Sequence, residues 1–86
     1  MSNSPQFKLA AEAVNQLSSK PNNDILGKLY GLYKQATVGD NNTAKPGMME
    51  FKETLKWNNW NKYKGYSKYQ AEVEYIKLVN QLIADD

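Results

Sequence analysis

Histidine, cysteine and arginine are all missing from this chain of 86 residues. Without histidine the usual general base near neutral pH is gone. Without cysteine there is no thiol nucleophile, no thiolate metal site and no disulfide, so stability has to come from packing. A Ser-His-Asp triad cannot be assembled. All 11 basic residues are lysines, which removes the planar two-pronged grip of a guanidinium on guanine or phosphate. The net charge of +2 is small and the lysines form no run, which argues against a nucleic-acid partner. No apolar stretch approaches the roughly 20 residues of a membrane span. Met1 to Gln6 is polar, with no signal-type apolar run after it, so a cytoplasmic protein is expected. There is no glycine-rich phosphate loop. Asp40 and Asn42 begin like a calcium loop, but Lys45 stands where glycine is needed and Phe51 where glutamate should close the site. No metal is expected. Asn41-Asn42-Thr43 matches a glycosylation acceptor and is read as chance, since no secretion signal is evident.

What is present has helical spacing. Residues 1–86 are expected to form one domain, with a modest core and room for a groove rather than a large internal cavity. Phe7, Ala10, Ala11, Val14 and Leu17 make a first stripe, ended by the breaker cluster Ser18 to Asn23. Ile25, Leu26, Leu29, Tyr30, Leu32, Tyr33 and Ala36 make a second, with Asn22 or Asn23 placed to cap it and Asp24 suited to its N-terminal dipole. Gly39 to Gly47 has no periodicity and reads as a long connection. A third helix is expected from about Met49 to Lys64, carrying Phe51, Leu55, Trp57, Trp60 and Tyr63 and stopped by Gly65. Ser67 with Gln70 resembles a capping box for a fourth, which carries Ala71, Tyr75, Ile76, Val79, Leu82 and Ile83. Nowhere is the alternation of a strand sustained. The long connection lets the second and third helices run in the same direction.

Tyr30, Tyr33 and Lys34 fall at i, i+3 and i+4 and share one helix face. A purine can stack on such a ring, and a phosphate can take the phenol hydroxyl and the ammonium. The same pattern also suits ordinary packing. Core burial is the default for Trp60 and Tyr75, whereas Lys56 and Trp57 border a groove. Gly27 and Gly31 lower helix propensity and leave room for something to approach the backbone.

The run from Tyr30 to Asp40 resembles the signature of the acyl-CoA-binding protein family. Pro46-Gly47-Met48, Phe51-Lys52 and Lys56-Trp57-Asn58-Asn59-Trp60 resemble its second signature, and Lys64-Gly65, Ser67, Ala71 and Tyr75-Ile76 follow in the same order. The resemblance covers about Phe7 to Leu82. It implies an all-α, four-helix up-down-down-up bundle with a shallow CoA site. Phe7, Ala11, Val14 and Leu17 would pack against Tyr75, Ile76, Val79 and Leu82. It further implies a non-enzymatic, monomeric carrier and pool former for medium- to long-chain fatty acyl-CoA esters. Acyl-CoA would be its ligand, no cofactor would be needed, and acyl-CoA-using enzymes or membranes would be its transient partners.

The implied ligand contacts are Tyr30, Tyr33, Lys34, Lys56 and Tyr75. Tyr33 would stack on adenine with help from Tyr75. Lys34 and Lys56 would neutralise the ribose 3′-phosphate, with the Tyr30 hydroxyl donating to it. Leu26, Leu29 and Leu55 would form an acyl trough. Asn15 stands where many members carry lysine, Gly27 replaces a commonly apolar residue and would widen the trough, and Leu55 replaces a smaller one and would narrow it. The alternative function is a helical protein-interaction module using the aromatic face. A weak acyl-CoA hydrolase is disfavoured by the missing histidine and cysteine.

Overall fold

Three of the four helices start at a side chain that accepts a backbone N–H. The computed structural model describes residues 3–86. Ser4 caps α1 (Pro5–Ala13) by accepting from the Phe7 N–H, and Pro5 occupies the first turn, where its missing N–H is harmless. One 3-10 turn, Val14–Gln16, extends it. Asn22 caps α2 (Asn23–Thr37) by accepting from the Ile25 N–H, and Asp24 and Lys34 lie in its first and last turns. Ser67 caps α4 (Lys68–Ala84) by accepting from the Gln70 N–H.

The third helix, α3 (Phe51–Asn61), is shorter than the expected span of about 49–64. It lacks a side-chain cap. The Glu50 carboxylate instead accepts from the Gly47 N–H at 2.8 Å, which places Met48 and Met49 in an exposed turn. At its other end the chain unwinds into turns up to Gly65, whose φ of +96° is the left-handed stop its sequence position suggested. No strand occurs among the described residues.

Phe7 and Ala10 of α1, Leu29, Leu32 and Ala36 of α2, and Ala71, Tyr75 and Val79 of α4 form the buried core. Helix α4 packs on α1 and α2, and α3 packs on α2 alone. Trp60 is therefore the buried hydrophobic residue of α3, while Phe51 and Leu55, placed on its apolar stripe by spacing, are exposed. A helix with one helical neighbour needs only a narrow apolar face.

Cross-links show the helix directions. At the start of α1, the Asn3 side chain donates to Glu72 on α4 and to the Ala36 carbonyl near the end of α2. Further on, Phe7 meets Tyr75, and Ser18 meets Asp86. Helices α1 and α4 thus run together, against α2. Gly65 and Tyr66, after α3, bond to Asp40 and Gln35 at the end of α2, so α2 and α3 end at the same place. The order is up, down, down, up.

Gly27 and Gly31 serve the parallel α2–α3 contact. A Cβ on Gly27 would come within 2.8 Å of the Asn59 amide; one on Gly31 would strike the Asn59 backbone carbonyl and the Tyr63 ring. What approaches the glycines is α3, and the expectation that Gly27 widens the ligand trough is corrected accordingly. Gly31→Ala should destabilise by about 1–2 kcal/mol in urea unfolding, because a backbone oxygen cannot turn away. Gly27→Ala should be near neutral, because the Asn59 side chain can rotate and alanine favours the helix. Equal effects at the two sites would refute this assignment.

Three carboxyls are held below their ordinary values. Asp40 accepts from the Gly65 N–H and the Gln35 amide. Burial raises Glu72, but donors from Asn3 and Ser4 outweigh it. Asp86 accepts from the Ser18 N–H and hydroxyl. A pKa lower in the folded than the unfolded state gives stability that is complete above the unfolded value and lost as pH falls through the folded one. The melting temperature should hold near neutrality and drop below about pH 4, less steeply in Asp40→Asn. An identical acid slope in that variant would show that Asp40 contributes nothing.

Candidate ligand-binding site

Helix α2 turns Tyr30 and Tyr33 toward α1 and α4. Tyr33 stacks on Phe7, centroids 5.5 Å apart, and Tyr75 lies 5.0 Å from Phe7 and 6.0 Å from Tyr33. The three rings are not equivalent. Phe7 and Tyr75 are buried, Tyr75 at 4% exposure, while Tyr33 keeps 42% of its surface in solvent. Buried rings anchor the half-exposed one, so Tyr33 offers a fixed aromatic edge. Burial, and then the neighbouring Tyr33, push the Tyr75 phenol above its ordinary pKa, so it stays a neutral donor.

These tyrosines open onto a cavity of about 460 Å³ between the 3-10 turn, the α1–α2 joint and α2. Val14, Leu17, Leu26 and Leu29 give it an apolar wall, Tyr30, Tyr33 and Tyr75 an aromatic one, and Asn15, Ser19 and Lys20 its polar border. Tyr30 also lines a smaller recess of about 200 Å³ with Pro46, Lys56, Trp57 and Trp60. Pro46 in turn lines a groove of about 510 Å³ with Met48, Phe51 and Leu55. The concavities thus follow one another across Tyr30 and Pro46.

The lysines are placed by aromatic faces. Lys34 Nζ sits 4.8 Å from the Trp60 ring centroid, and Lys56 Nζ 5.8 Å from that of Tyr30. Trp60 is fixed in turn, its indole N–H donating to the Gly39 carbonyl at 2.8 Å. Trp57 is half-buried and donates to the Thr43 carbonyl at 3.0 Å. Buried Asn41 accepts from the Thr43 N–H and donates to the Trp57 carbonyl, which holds the crossover against α3.

Of the five expected contacts, Tyr30, Tyr33 and Tyr75 share the cavity, and Lys56 shares the adjoining recess with Tyr30. Lys34 stands beside that recess over Trp60. The expected acyl trough is divided: Leu26 and Leu29 lie in the cavity, while Leu55 lies in the groove beyond Pro46, on α3, which packs only on α2. Spacing did not reveal Phe7 as the floor under Tyr33, nor Lys20 at the cavity border. The only sequence signal for Lys20 was its position before Pro21 in the helix-breaking cluster. Among the described residues no cluster of metal-ligating side chains occurs.

An aromatic, apolar-walled cavity flanked by lysines, in a four-helix up-down-down-up bundle, defines a small α-helical binding protein. The family model for acyl-CoA-binding protein matches residues 4–79. The chain is 55% identical over 78 residues to the acyl-CoA-binding protein of Saccharomyces cerevisiae, covering 91% of this chain and 90% of that one. It is 51% identical over 81 residues to a Drosophila melanogaster homologue, covering 94% of each. The crystal structure of Oryza sativa acyl-CoA-binding protein 2 superposes with a TM-score of 0.89 at 40% identity, over 93% of this chain and 89% of that one. The solution structure of the yeast protein gives 0.74 at 53% identity, covering 96% of each. The chain belongs to the acyl-CoA-binding protein family.

The unequal burial of the rings predicts unequal roles. Tyr75→Ala should lower stability by about 3 kcal/mol or more, as large-to-small core changes do. Tyr33→Ala should cost about half that or less, since much of its ring is already in water. Chemical denaturation of the two variants measures both. A larger loss at Tyr33 would invert the assignment of anchor and exposed face.

Proposed function

We propose that this chain binds medium- to long-chain fatty acyl-CoA esters and carries them, without catalysis, as a cytoplasmic monomer. It would form a pool of bound ester and release it in transient encounters with acyl-CoA-using enzymes or membranes. Membership of the acyl-CoA-binding protein family supports the ligand class. The observation that carries the proposal is the junction at Tyr30, where an apolar and aromatic cavity meets a recess bordered by Lys56 and, through Trp60, by Lys34. An acyl-CoA ester has the same division between an apolar chain and an anionic aromatic head. The ester is bound as ligand and no cofactor is involved; a chain without histidine or cysteine is suited to a role without chemistry.

In this reading Tyr33 stacks on the adenine and Tyr75 buttresses it. Lys34 and Lys56 take the ribose 3′-phosphate, and the Tyr30 hydroxyl donates to it. The acyl chain begins against Leu26 and Leu29. Each methylene withdrawn from water contributes about 0.8 kcal/mol before ordering is counted, which favours longer chains while apolar wall remains. Phe51 and Leu55 offer further apolar surface beyond Pro46. A protein-docking role for the aromatic face is less favoured, because that face lines a concavity.

Calorimetric titration with palmitoyl-CoA tests the proposal, with palmitate and the 3′-dephospho ester as controls. One-to-one binding of the intact ester, much weaker for both controls, is the expected result. Lys34→Gln and Lys56→Gln should each lower affinity about tenfold, as loss of a charge-assisted contact does, with little change in melting temperature. Tryptophan fluorescence should change on binding as Lys34 leaves the Trp60 face. A folded sample that does not bind the ester would overturn the proposal.

A further inference from the structure

With no cysteine in the chain, its sulfur chemistry falls to three methionines, Met1, Met48 and Met49. Met1 lies outside the described residues. Met48 and Met49 are the most exposed large hydrophobic residues among those described, at 91% and 81%. Both sit in the turn before α3, whose two ends are tied twice. The Glu50 N–H donates to the Gly47 carbonyl at 3.0 Å, and the Gly47 N–H donates to the Glu50 carboxylate at 2.8 Å. Thioethers held outward in this way are open to peroxide. The other readily oxidised side chains are better protected: Trp60 is buried and Trp57 half-buried, each with its indole N–H bonded to the crossover.

The two methionines are not equivalent. Met48 lines the groove of about 510 Å³ with Pro46, Phe51 and Leu55, and Met49 does not. Phe51 and Leu55 are themselves exposed, so this wall has no partner within the fold. An unbranched, polarisable thioether adapts well to an irregular apolar contact. One added oxygen makes the same side chain polar. A polar atom pressed against an apolar ligand weakens binding unless it finds a hydrogen bond.

We propose that Met48 is a site of reversible oxidation by hydrogen peroxide, which sets how long an acyl chain the protein retains. The proposal rests on the acyl-CoA reading above, in which the chain begins at Leu26 and Leu29 and only a longer one reaches the groove beyond Pro46. In the step, a lone pair of the Met48 sulfur attacks one peroxide oxygen. The S–O bond forms as the O–O bond breaks, and water leaves. Sulfur is oxidised by two electrons and the peroxide is reduced. Methionine sulfoxide reductases, supplied with a thiol reductant, reverse the change. No sulfenic acid or disulfide of the chain competes with it.

The test is peroxide treatment of the purified protein, with the added oxygens located by peptide mass spectrometry. Calorimetric titration with palmitoyl-CoA and octanoyl-CoA follows. Oxidation should weaken palmitoyl-CoA binding about fivefold and leave octanoyl-CoA binding and the melting temperature unchanged, with reductase treatment restoring the loss. Met48→Leu should bind palmitoyl-CoA like the wild type and lose nothing on oxidation, although its Met49 is still oxidised. Met49→Leu should lose as much as the wild type, and Met48→Gln should reproduce the loss without peroxide. Undiminished palmitoyl-CoA affinity with Met48 oxidised would overturn the proposal. So would an equal loss for octanoyl-CoA, or the same loss in Met48→Leu. Untreated wild-type protein that binds neither ester would be a different result, the failure of the acyl-CoA reading itself.

Discussion

The side-chain amide of Gln35, fully buried near the end of α2, ties the bundle together at one end. Its NH2 group donates to the Asp40 carboxylate at 2.8 Å and to the Tyr66 carbonyl at 2.9 Å. The same Asp40 oxygen accepts from the Gly65 N–H at 2.9 Å. One amide and one carboxylate thus join the end of α2, the start of the crossover and the turn between α3 and α4. Parallel neighbours cannot be joined by a tight turn, so α2 and α3 need both a long return and a clamp where they end together. A buried NH2 group with two designated acceptors makes such a clamp directional, where apolar contacts would allow sliding. Everything on α3, including the position of Lys56 over Tyr30, depends on that register.

Helix α2 faces three surroundings at once, and its composition follows from that. Leu29, Leu32 and Ala36 enter the core; Gly27 and Gly31 meet α3; Tyr30 and Tyr33 open onto the cavity. The glycines lower helix propensity by about 1 kcal/mol each relative to alanine. Close approach of α3 offsets that, because it brings Trp60 near enough to receive the Lys34 ammonium. The helix therefore spends some intrinsic stability on a backbone contact that positions a cation. The crossover is held by Trp60 and by Trp57, through the Gly39 and Thr43 carbonyls respectively, so the indoles join fold to site.

Much of the fold was legible in the sequence. The spacing of Phe7, Ala10 and Val14 or of Tyr75, Val79 and Leu82 states which face of a helix is apolar, and Ser67, Asn22 and Gly65 mark ends. Periodicity does not state what faces that stripe. Gly27 and Gly31 were read as leaving room for a close approach, which α3 makes; the sequence did not say what approaches, and Gly27 was assigned to the trough, whereas Asn59 fills the space. Leu55 was grouped with Leu26 and Leu29 because all are apolar, whereas α3 carries it beyond Pro46. The ends of α3 were overextended because Met49 and Tyr63 continue an apolar pattern, while the Glu50–Gly47 hydrogen bond and the Gly65 turn intervene. Cross-links between distant residues, such as Asn3 with Glu72 or Ser18 with Asp86, leave no local signature. For the site, the family signature brought Tyr30, Tyr33, Lys34, Lys56 and Tyr75 to attention. That Lys34 and Lys56 rest on aromatic rings outside the cavity follows only from three-dimensional packing.

That arrangement bears on selectivity. A lysine over an aromatic face is already partly satisfied, by about 0.5–1 kcal/mol at an exposed site. A ligand must better that before its phosphate gains from the contact, so a lone anion has little to offer. On the proposed reading, an ester brings a purine for Tyr33 and apolar surface for Leu26 and Leu29 along with its phosphates. Its several weak contacts then form at a single cost in translational freedom. Free CoA forgoes the apolar share and a free fatty acid forgoes the rest, so each alone meets the full entropic cost with part of the gain. Discrimination for the intact ester thus requires no strong individual contact, only that the two kinds of surface be held in fixed relation. The clamp at Gln35 and the aromatic anchor of Phe7 and Tyr75 supply that relation.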